Sequence, residues 1–241
     1  MPTLSLRLMR FLLFFLCLVA AGAQASDLER VPVLIKGGAV GLAQSLVERN
    51  QPSPRELDLW IAWERQRYAV YFARRDWDGL AQRAAALPLE LPADFRRWAL
   101  TQGAWARLSA GDGEGARRFL REILWQTESA PAAMSEARQL VIRSYLVDDN
   151  LADAQTAVLR YKQDYQARSD GWQELHATIL LRANQPRNAL EILAGVHTHE
   201  GRLLALLAAL QSRAYAAPSL LAQAQKLANE TRNKPRLNYQ A

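Results

Sequence analysis

The sequence predicts an all-α fold, a right-handed solenoid of about five antiparallel helix pairs without a sheet. Apolar residues recur at helical spacing in successive segments, short polar turns separate these segments, and no alternating run of β-branched residues occurs. A small or apolar residue also returns in every second helix, at Leu80, Ala116, Ala154, Ala189 and Ala222. The spacings of 36, 38, 35 and 33 residues are typical of helical repeats that stack on one another.

The first 25 residues have the pattern of a cleaved secretory signal. Arg7 and Arg10 precede an apolar run of about 11 residues, and Ala-Gln-Ala at 23–25 is the small-x-small motif that a signal peptidase cleaves. The apolar run is shorter than the roughly 20 residues that a membrane-spanning helix needs. We therefore predict cleavage after Ala25, with an uncleaved membrane anchor as the alternative.

Cleavage would leave 216 residues and remove Cys17, the only cysteine, so the mature protein would have no disulfide or thiolate chemistry. The formal net charge would fall from +6 to +4, well short of the clustered Lys and Arg of a nucleic-acid-binding face. We predict a periplasmic protein that has no nucleic-acid partner and is not an integral membrane protein after cleavage. Its mildly basic surface suits anionic cell wall, lipid headgroups or an acidic partner.

The mature chain is predicted to have three parts. Residues 26–52 form an N-terminal capping helix region, in which Leu42 and Leu46 mark the apolar face. Residues 53–230 form the helical-repeat solenoid. Residues 231–241 are either a polar tail or the start of a further repeat.

Caps and turns predict the first helix pairs. Ser53 is an N-cap with Pro54 just inside the aromatic-rich helix that follows, and residues 74–76 turn the chain back. Gly111 lies in a tight turn that needs a positive φ. The helices that follow the first are predicted over Trp77–Leu87, Ala93–Ala110 and Gly113–Trp125.

Three further pairs are predicted from polar turns that interrupt the apolar periodicity. The turns lie near residues 148–150 and 183–186, and a stripe of leucines begins at Leu203 in the last pair. The predicted helices cover 132–147, 150–166, 170–183, 186–195, 199–214 and 217–230.

The residues at these turns resemble the tetratricopeptide repeat family, whose units are paired helices of about 34 residues. Small residues allow two helices to approach closely, and aromatic residues and leucines fill the neighbouring groove. The matching residues are Ala104, Gly111, Ala116 and Leu120 in the second unit, Tyr145, Leu151 and Ala154 in the third, and Ala177, Pro186, Ala189 and Leu193 in the fourth. The resemblance covers residues 55–230 and implies a stack of helix pairs.

A weaker resemblance lies in residues 72–80, Phe-Ala-Arg-Arg-Asp-Trp-Asp-Gly-Leu, with the helix pair that follows. This segment is similar to part of the superhelical, non-catalytic domain of soluble lytic murein transglycosylases. The catalytic motif of that family is Glu-Ser before an aromatic or aliphatic stretch, with Gly-x-Met-Gln downstream. Here Glu128-Ser129 is followed by Ala-Pro, and no Gly-x-Met-Gln occurs. The resemblance implies a piece of the solenoid without the catalytic domain.

The sequence offers no catalytic, metal or cofactor motif. His197 and His199 have neither the spacing of a helical ligand pair nor that of a known metal motif. No Gly-x-Ser-x-Gly is present, which argues against a serine hydrolase of that type. Carboxylates that could perform glycoside hydrolysis are interpreted as solvated or as turn caps. They are Glu64, Asp76, Asp78, Glu122 and Glu128.

Two groups of side chains are candidates for binding a partner. The first is an aromatic set on two successive first helices, which is either an open groove for a peptide, helix or glycan strand, or core. The second is an arginine group that either binds an acidic partner or forms a solvated helix face. The aromatic set is Trp60, Trp63, Tyr68, Tyr71, Trp98 and Trp105. The arginine group is Arg96, Arg97, Arg107, Arg117, Arg118 and Arg121, of which the last four are the strongest candidates.

The sequence therefore favours an exported, non-catalytic helical-repeat scaffold that mediates protein–protein interaction in a bacterial envelope assembly. Its expected partner is another envelope protein or a peptide, and it needs no cofactor. The alternative is the solenoid segment of a lytic murein transglycosylase that binds peptidoglycan strands and lacks the catalytic domain.

Overall fold

The computed structural model describes residues 27–88, 90–125, 131–165 and 169–231. Within these ranges the regular elements are α-helices and no strand is present, which confirms the all-α prediction. The predicted signal at 1–25 and residues 232–241 lie outside the described residues, as does Glu128.

The described ranges contain twelve helices. They are α1 (27–36), α2 (Val40–Asn50), α3 (Leu57–Arg74), α4 (Trp77–Ala85), α5 (Ala93–Ser109), α6 (Gly113–Trp125), α7 (Pro131–Val147), α8 (Leu151–Tyr165), α9 (Asp170–Arg182), α10 (Pro186–Leu193), α11 (His199–Ser212) and α12 (Ala217–Thr231). From α4 onwards, each helix begins and ends within two residues of its predicted bounds. The prediction of Ser53 as the N-cap of the aromatic-rich helix is wrong, because residues 54–55 form a turn and α3 begins at Leu57 after Glu56. The region 26–52 holds two helices, α1 and α2, because Gly38 adopts a φ of +80° and ends the first.

One type of turn recurs six times between consecutive helices. Its central residue has a φ between 55° and 80°, in the left-handed region. The N–H of that residue donates to the carbonyl three residues earlier and the next N–H donates to the carbonyl five residues earlier, at 2.8–3.3 Å. This is the Schellman pattern, which satisfies the last carbonyls of a helix. The central residues are Gly38, Arg75, Gly111, Asp149, Asn184 and Arg213.

Side-chain caps start the helix after three of these turns. Asp76 accepts the N–H of Gly79 at 3.0 Å, and Asp112 accepts the N–H of Gly115 at 2.7 Å. Asn150 likewise accepts the N–H of Asp153 at 3.2 Å. A left-handed residue followed by Asp or Asn therefore ends one helix and begins the next within two positions.

The described residues form two compact units, which meet in sequence between Ala106 and Arg107. The first unit has an apolar cluster around Trp63 and Val70 of α3, against which Val31, Ala43 and Val47 pack. The second unit has two further apolar clusters. One joins α7, α8 and α9 through Ile142, Val158 and Trp172, and the other joins α9, α10 and α11 through Ala177, Ala189 and Ala208.

The residues predicted to be equivalent in each repeat are buried in four of the five cases. Leu80, Ala116, Ala154 and Ala189 are fully buried. Ala222 is exposed, and Leu220 and Leu227 are the buried residues of α12 instead. The buried residues of α12 therefore lie at other positions than the one that the repeat spacing predicts.

Candidate functional site

A fully buried carboxylate, that of Glu64 on α3, is the main polar feature inside the first unit. Arg83 of α4 binds it with two hydrogen bonds, from Nε to Oε1 at 2.5 Å and from one terminal nitrogen to Oε2 at 2.9 Å. Such two-point pairing gives a strong, oriented ion pair. The interpretation of Glu64 as a solvated residue is therefore wrong, because the turn after α3 brings Arg83 back against it.

Two more side chains surround the Glu64 carboxylate. The amide nitrogen of Gln51, in the connection after α2, lies 3.4 Å from Oε2 and also donates to the carbonyl of Trp60 at 3.3 Å. Nε of Arg67 lies 3.6 Å from the same Oε2, and its guanidinium donates to the Gln51 amide oxygen at 3.2 Å. The network therefore links α3 and α4 to the segment that follows α2.

Burial also affects the aromatic neighbours of Glu64. The pKa of the Tyr68 phenol is raised well above its usual range, first by burial and then by the nearby negative charge of Glu64. The Tyr68 hydroxyl therefore stays protonated at physiological pH. Arg83 lies over the ring of Trp60, 5.9 Å from its centroid, so the cation that neutralises Glu64 also packs on an aromatic side chain.

The geometry of this network suits a structural role better than proton transfer. A general acid needs access to its substrate. The Glu64 carboxylate has no exposed surface, and both of its oxygens accept hydrogen bonds from Arg83. As it stands, Glu64 positions α4 on α3.

A small surface cleft of about 20 Å³, open to solvent, lies between α2 and α3. The side chains of Arg67 and Arg74 lie on its α3 side, and Glu48 lies on its α2 side. Arg74 donates to the amide oxygen of Gln44, whose amide nitrogen donates to Glu48 Oε1 at 2.7 Å. The lining residues are Gln44, Val47, Glu48, Arg67, Val70, Tyr71 and Arg74.

The aromatic candidates divide into buried and accessible residues. Trp60, Trp63 and Tyr68 are buried in the first unit, so they are core residues in this structure. The residues of this set that solvent reaches are Tyr71, Trp98 and Trp105, each of them half-buried. That they bind a partner stays a prediction.

Trp98, one of the accessible aromatic residues, packs against a cation and two aromatic rings. The guanidinium of Arg65 lies over its ring, 4.4 Å from the centroid. The rings of Tyr68 and Phe95 pack against it at 5.0 Å and 5.5 Å. Trp98 therefore connects the buried aromatic residues to the surface.

The arginine candidates also divide into two kinds. Arg117 is held within the second unit by Asp148 at 2.7 Å, by the Ser144 hydroxyl at 3.2 Å and by the ring of Tyr145. Arg107 is paired with an acid at the start of α6, since one of its terminal nitrogens lies 3.7 Å from Asp112. These two arginines stabilise the fold.

Arg118 and Arg121 are exposed on α6. Arg118 pairs with Glu114 at 2.7 Å, one helical turn earlier, and both side chains are about two-thirds exposed. Residues three apart are neighbours on a helix surface, so Arg118 and Arg121 form one cationic patch.

The described residues contain no group of three or more His, Cys, Asp or Glu side chains that could hold a metal ion. His197 is exposed in the connection before α11, and His199 is the first residue of that helix. Within the same described ranges, no helix combines the length and apolar character that crossing a membrane requires.

Sequence patterns did not link the residues of the Glu64 network. Gln51 and Arg83 lie 13 and 19 positions from Glu64, on different elements, and no short motif connects residues so far apart in the sequence.

Comparisons with protein-family models, with curated proteins and with solved structures gave no match to this chain.

Proposed function

We propose that the protein is an exported periplasmic scaffold, a tetratricopeptide-like solenoid that carries no catalytic centre and binds another envelope protein or a peptide. The recurrence of one turn supports this proposal most directly. The six Schellman turns lie 37, 36, 38, 35 and 29 residues apart, close to the period of the predicted repeats. Stacked repeats of this kind offer extended surfaces for partners.

The cationic patch of Arg118 and Arg121 is the surface that we assign to the partner. Both side chains are exposed, so an acidic partner can reach them and compete with Glu114 for Arg118, whereas Arg117 is only 22% exposed and is bound to Asp148. A patch of this charge favours an acidic segment, because opposite potentials speed encounter and orient the partner.

A pull-down of the mature protein from an envelope extract tests the proposal. We expect one protein to be retained in near-equal amount by the natural protein, and at least about tenfold less by Arg118→Glu with Arg121→Glu. Arg117 is left unchanged, because a glutamate there would face Asp148 and weaken the fold. The matched control is Arg160→Glu with Arg187→Glu, an equal charge change at exposed sites on α8 and α10.

Two results would overturn the proposal or part of it. Equal loss of the partner in the control pair would show that net charge, rather than this patch, is recognised. Sedimentation with murein sacculi and without a protein partner would favour the alternative, a peptidoglycan-binding solenoid segment of a lytic transglycosylase. N-terminal sequencing of the exported protein checks cleavage after Ala25.

A further inference from the structure

The last two helices carry the densest group of exposed apolar side chains in the described part of the chain. Leu203, Leu207 and Leu210 on α11 are 53%, 43% and 62% exposed. Tyr215 in the turn after α11 and Leu221 on α12 are 58% and 60% exposed. Each other described helix has at most one large apolar side chain as exposed as these. Grouped exposure of this kind marks an interaction surface, whereas single exposed leucines are ordinary.

The three leucines of α11 form one stripe, which we call the α11 stripe. They are spaced by four and three residues, so they lie within an arc of about 60° and a length of about 10 Å on the helix surface. The 4–3 spacing is that of the seam by which two helices pack side by side. The opposite side of α11 is already used, since Ala208 packs in the cluster with α9 and α10.

The ends of the α11 stripe carry opposite charges. Glu200 lies one turn before Leu203, and Arg213 lies just beyond Leu210; both are exposed. Arg202, also near the first end, is neutralised by Glu230 at 2.5 Å. The stripe is therefore negative at its N-terminal end and positive at its C-terminal end.

We propose that the α11 stripe binds the same stripe of a second copy of this chain, with the two helices antiparallel about a two-fold axis near Leu207. A two-fold interface uses one patch twice, so the patch must be complementary to itself. In an antiparallel pair, leucines meet leucines along the seam and Glu200 of one copy lies at the same end as Arg213 of the other. A parallel pair would instead place like charges together. The proposal goes beyond the scaffold role and does not depend on it.

The test is the mass of the mature protein in solution, measured by light scattering and sedimentation over about 1–100 μM. We expect the natural protein to shift from monomer to dimer in this range. Leu207→Asp places two carboxylates at the axis, and we expect it to raise the dimer dissociation constant at least about tenfold. The control Leu159→Asp, at a leucine 57% exposed on α8, should leave that constant unchanged.

A charge exchange tests the antiparallel arrangement. Glu200→Arg alone and Arg213→Glu alone should each weaken the dimer by about three- to tenfold, because they place like charges at both ends. The double variant should restore the natural dissociation constant. Circular dichroism and the thermal midpoint of each monomer show that a variant still folds, so a loss of dimer cannot be confused with unfolding.

Three results would overturn the proposal. A natural protein that stays monomeric to 100 μM excludes the dimer; if removal of residues 232–241 then makes it dimerise, the occupant of the stripe is this chain's own tail. A dimer that Leu207→Asp leaves intact uses another surface. A double variant as weak as the single ones excludes the antiparallel arrangement.

Discussion

At the scale of single residues, the carboxylate of Glu64 has the largest expected effect on stability. A buried charge is tolerated only while its partners remain, so removing one side of the pair leaves the other uncompensated. The contacts with Arg83, Arg67 and Gln51 all converge on its two oxygens. Removing one member of the ion pair is therefore expected to destabilise the protein more than replacing both members.

We predict that Glu64→Ala lowers the free energy of unfolding by about 3–5 kcal/mol, measured by urea denaturation. Glu64→Met with Arg83→Met should recover a large part of this loss, because no buried charge is then left unpaired. The control Glu114→Ala removes an exposed partner of Arg118 and should cause no measurable change. A single variant as stable as the natural protein would show that Glu64 is solvated after all.

His176 on α9 provides a second prediction at this scale. Burial lowers its pKa, and the positive charge of Lys162 lowers it further. Its Nδ1 is buried without a hydrogen-bond partner in the described structure, and its ring packs 5.0 Å from that of Trp172. The folded protein therefore holds this imidazole neutral.

The sign of the pH effect follows from the lowered pKa. The unfolded chain binds the proton more readily, so the stability contribution is complete above a pH of about 6.5 and is lost as pH falls below it. We predict that His176→Gln flattens the decline of stability between about pH 6.5 and 5, where one proton contributes at most about 1.4 kcal/mol per pH unit. Thermal denaturation across this range measures it. The same slope in both proteins would assign the decline to other groups.

At the scale of secondary-structure elements, the contact between α6 and α7 depends on a glycine. The N–H of Gly113, the first residue of α6, donates to Asp148 Oδ1 at 2.9 Å, and Arg117 binds the other oxygen of that carboxylate. A Cβ at position 113 would lie 2.2 Å from the carbonyl oxygen of Ser144. The two helices therefore approach too closely for any side chain there.

We predict that Gly113→Ala lowers the free energy of unfolding by about 1–3 kcal/mol, because the α6–α7 contact must open to admit the methyl group. Gly171→Ala is the matched control in the same unit, since nothing lies within 4 Å of its Cβ position on α9. That change should stabilise the protein by about 0.4–1 kcal/mol through the unfolded chain. Equal effects of the two changes, measured by chemical denaturation, would contradict the close approach.

Helix bounds from α4 onwards could be predicted from the sequence, whereas the two helices of residues 26–52, the start of α3 and the partners of buried polar groups could not. The turn at Gly111 was predictable because Gly-Asp-Gly combines a left-handed residue with a cap, and the structure shows both. Arg75 and Arg213 take the same left-handed conformation without any residue signal, because packing of the flanking helices imposes it. Glu64 is followed in the sequence by Arg65 and Arg67, which is the pattern of a solvated helix face. Its burial becomes visible only in the structure, where α4 returns and brings Arg83 against it.

At the scale of the whole molecule, α12, the last helix of the described residues, is less buried than α9. The prediction that Ala222 is a buried equivalent of Ala189 is wrong, because the spacing assumes that every helix has the same neighbours. A helix that contacts fewer neighbouring helices buries less of its surface. In the described residues α12 contacts α11, whereas α9 contacts α7, α8, α10 and α11.

We predict from this difference that the amides of α12 exchange with solvent much faster than those of α9. Six residues of α9 are buried, including Trp172, Leu175 and Ile179, and the two buried residues of α12 keep 9% and 7% of their surface exposed. Local opening of α12 therefore costs less free energy than opening of α9, and each 1.4 kcal/mol of difference is about tenfold in exchange. Hydrogen exchange with mass spectrometry compares peptides 217–231 and 170–182 in one digest, so each sample carries its own control. Equal protection would mean that the second unit opens only as a whole, with α12 as stable as its centre.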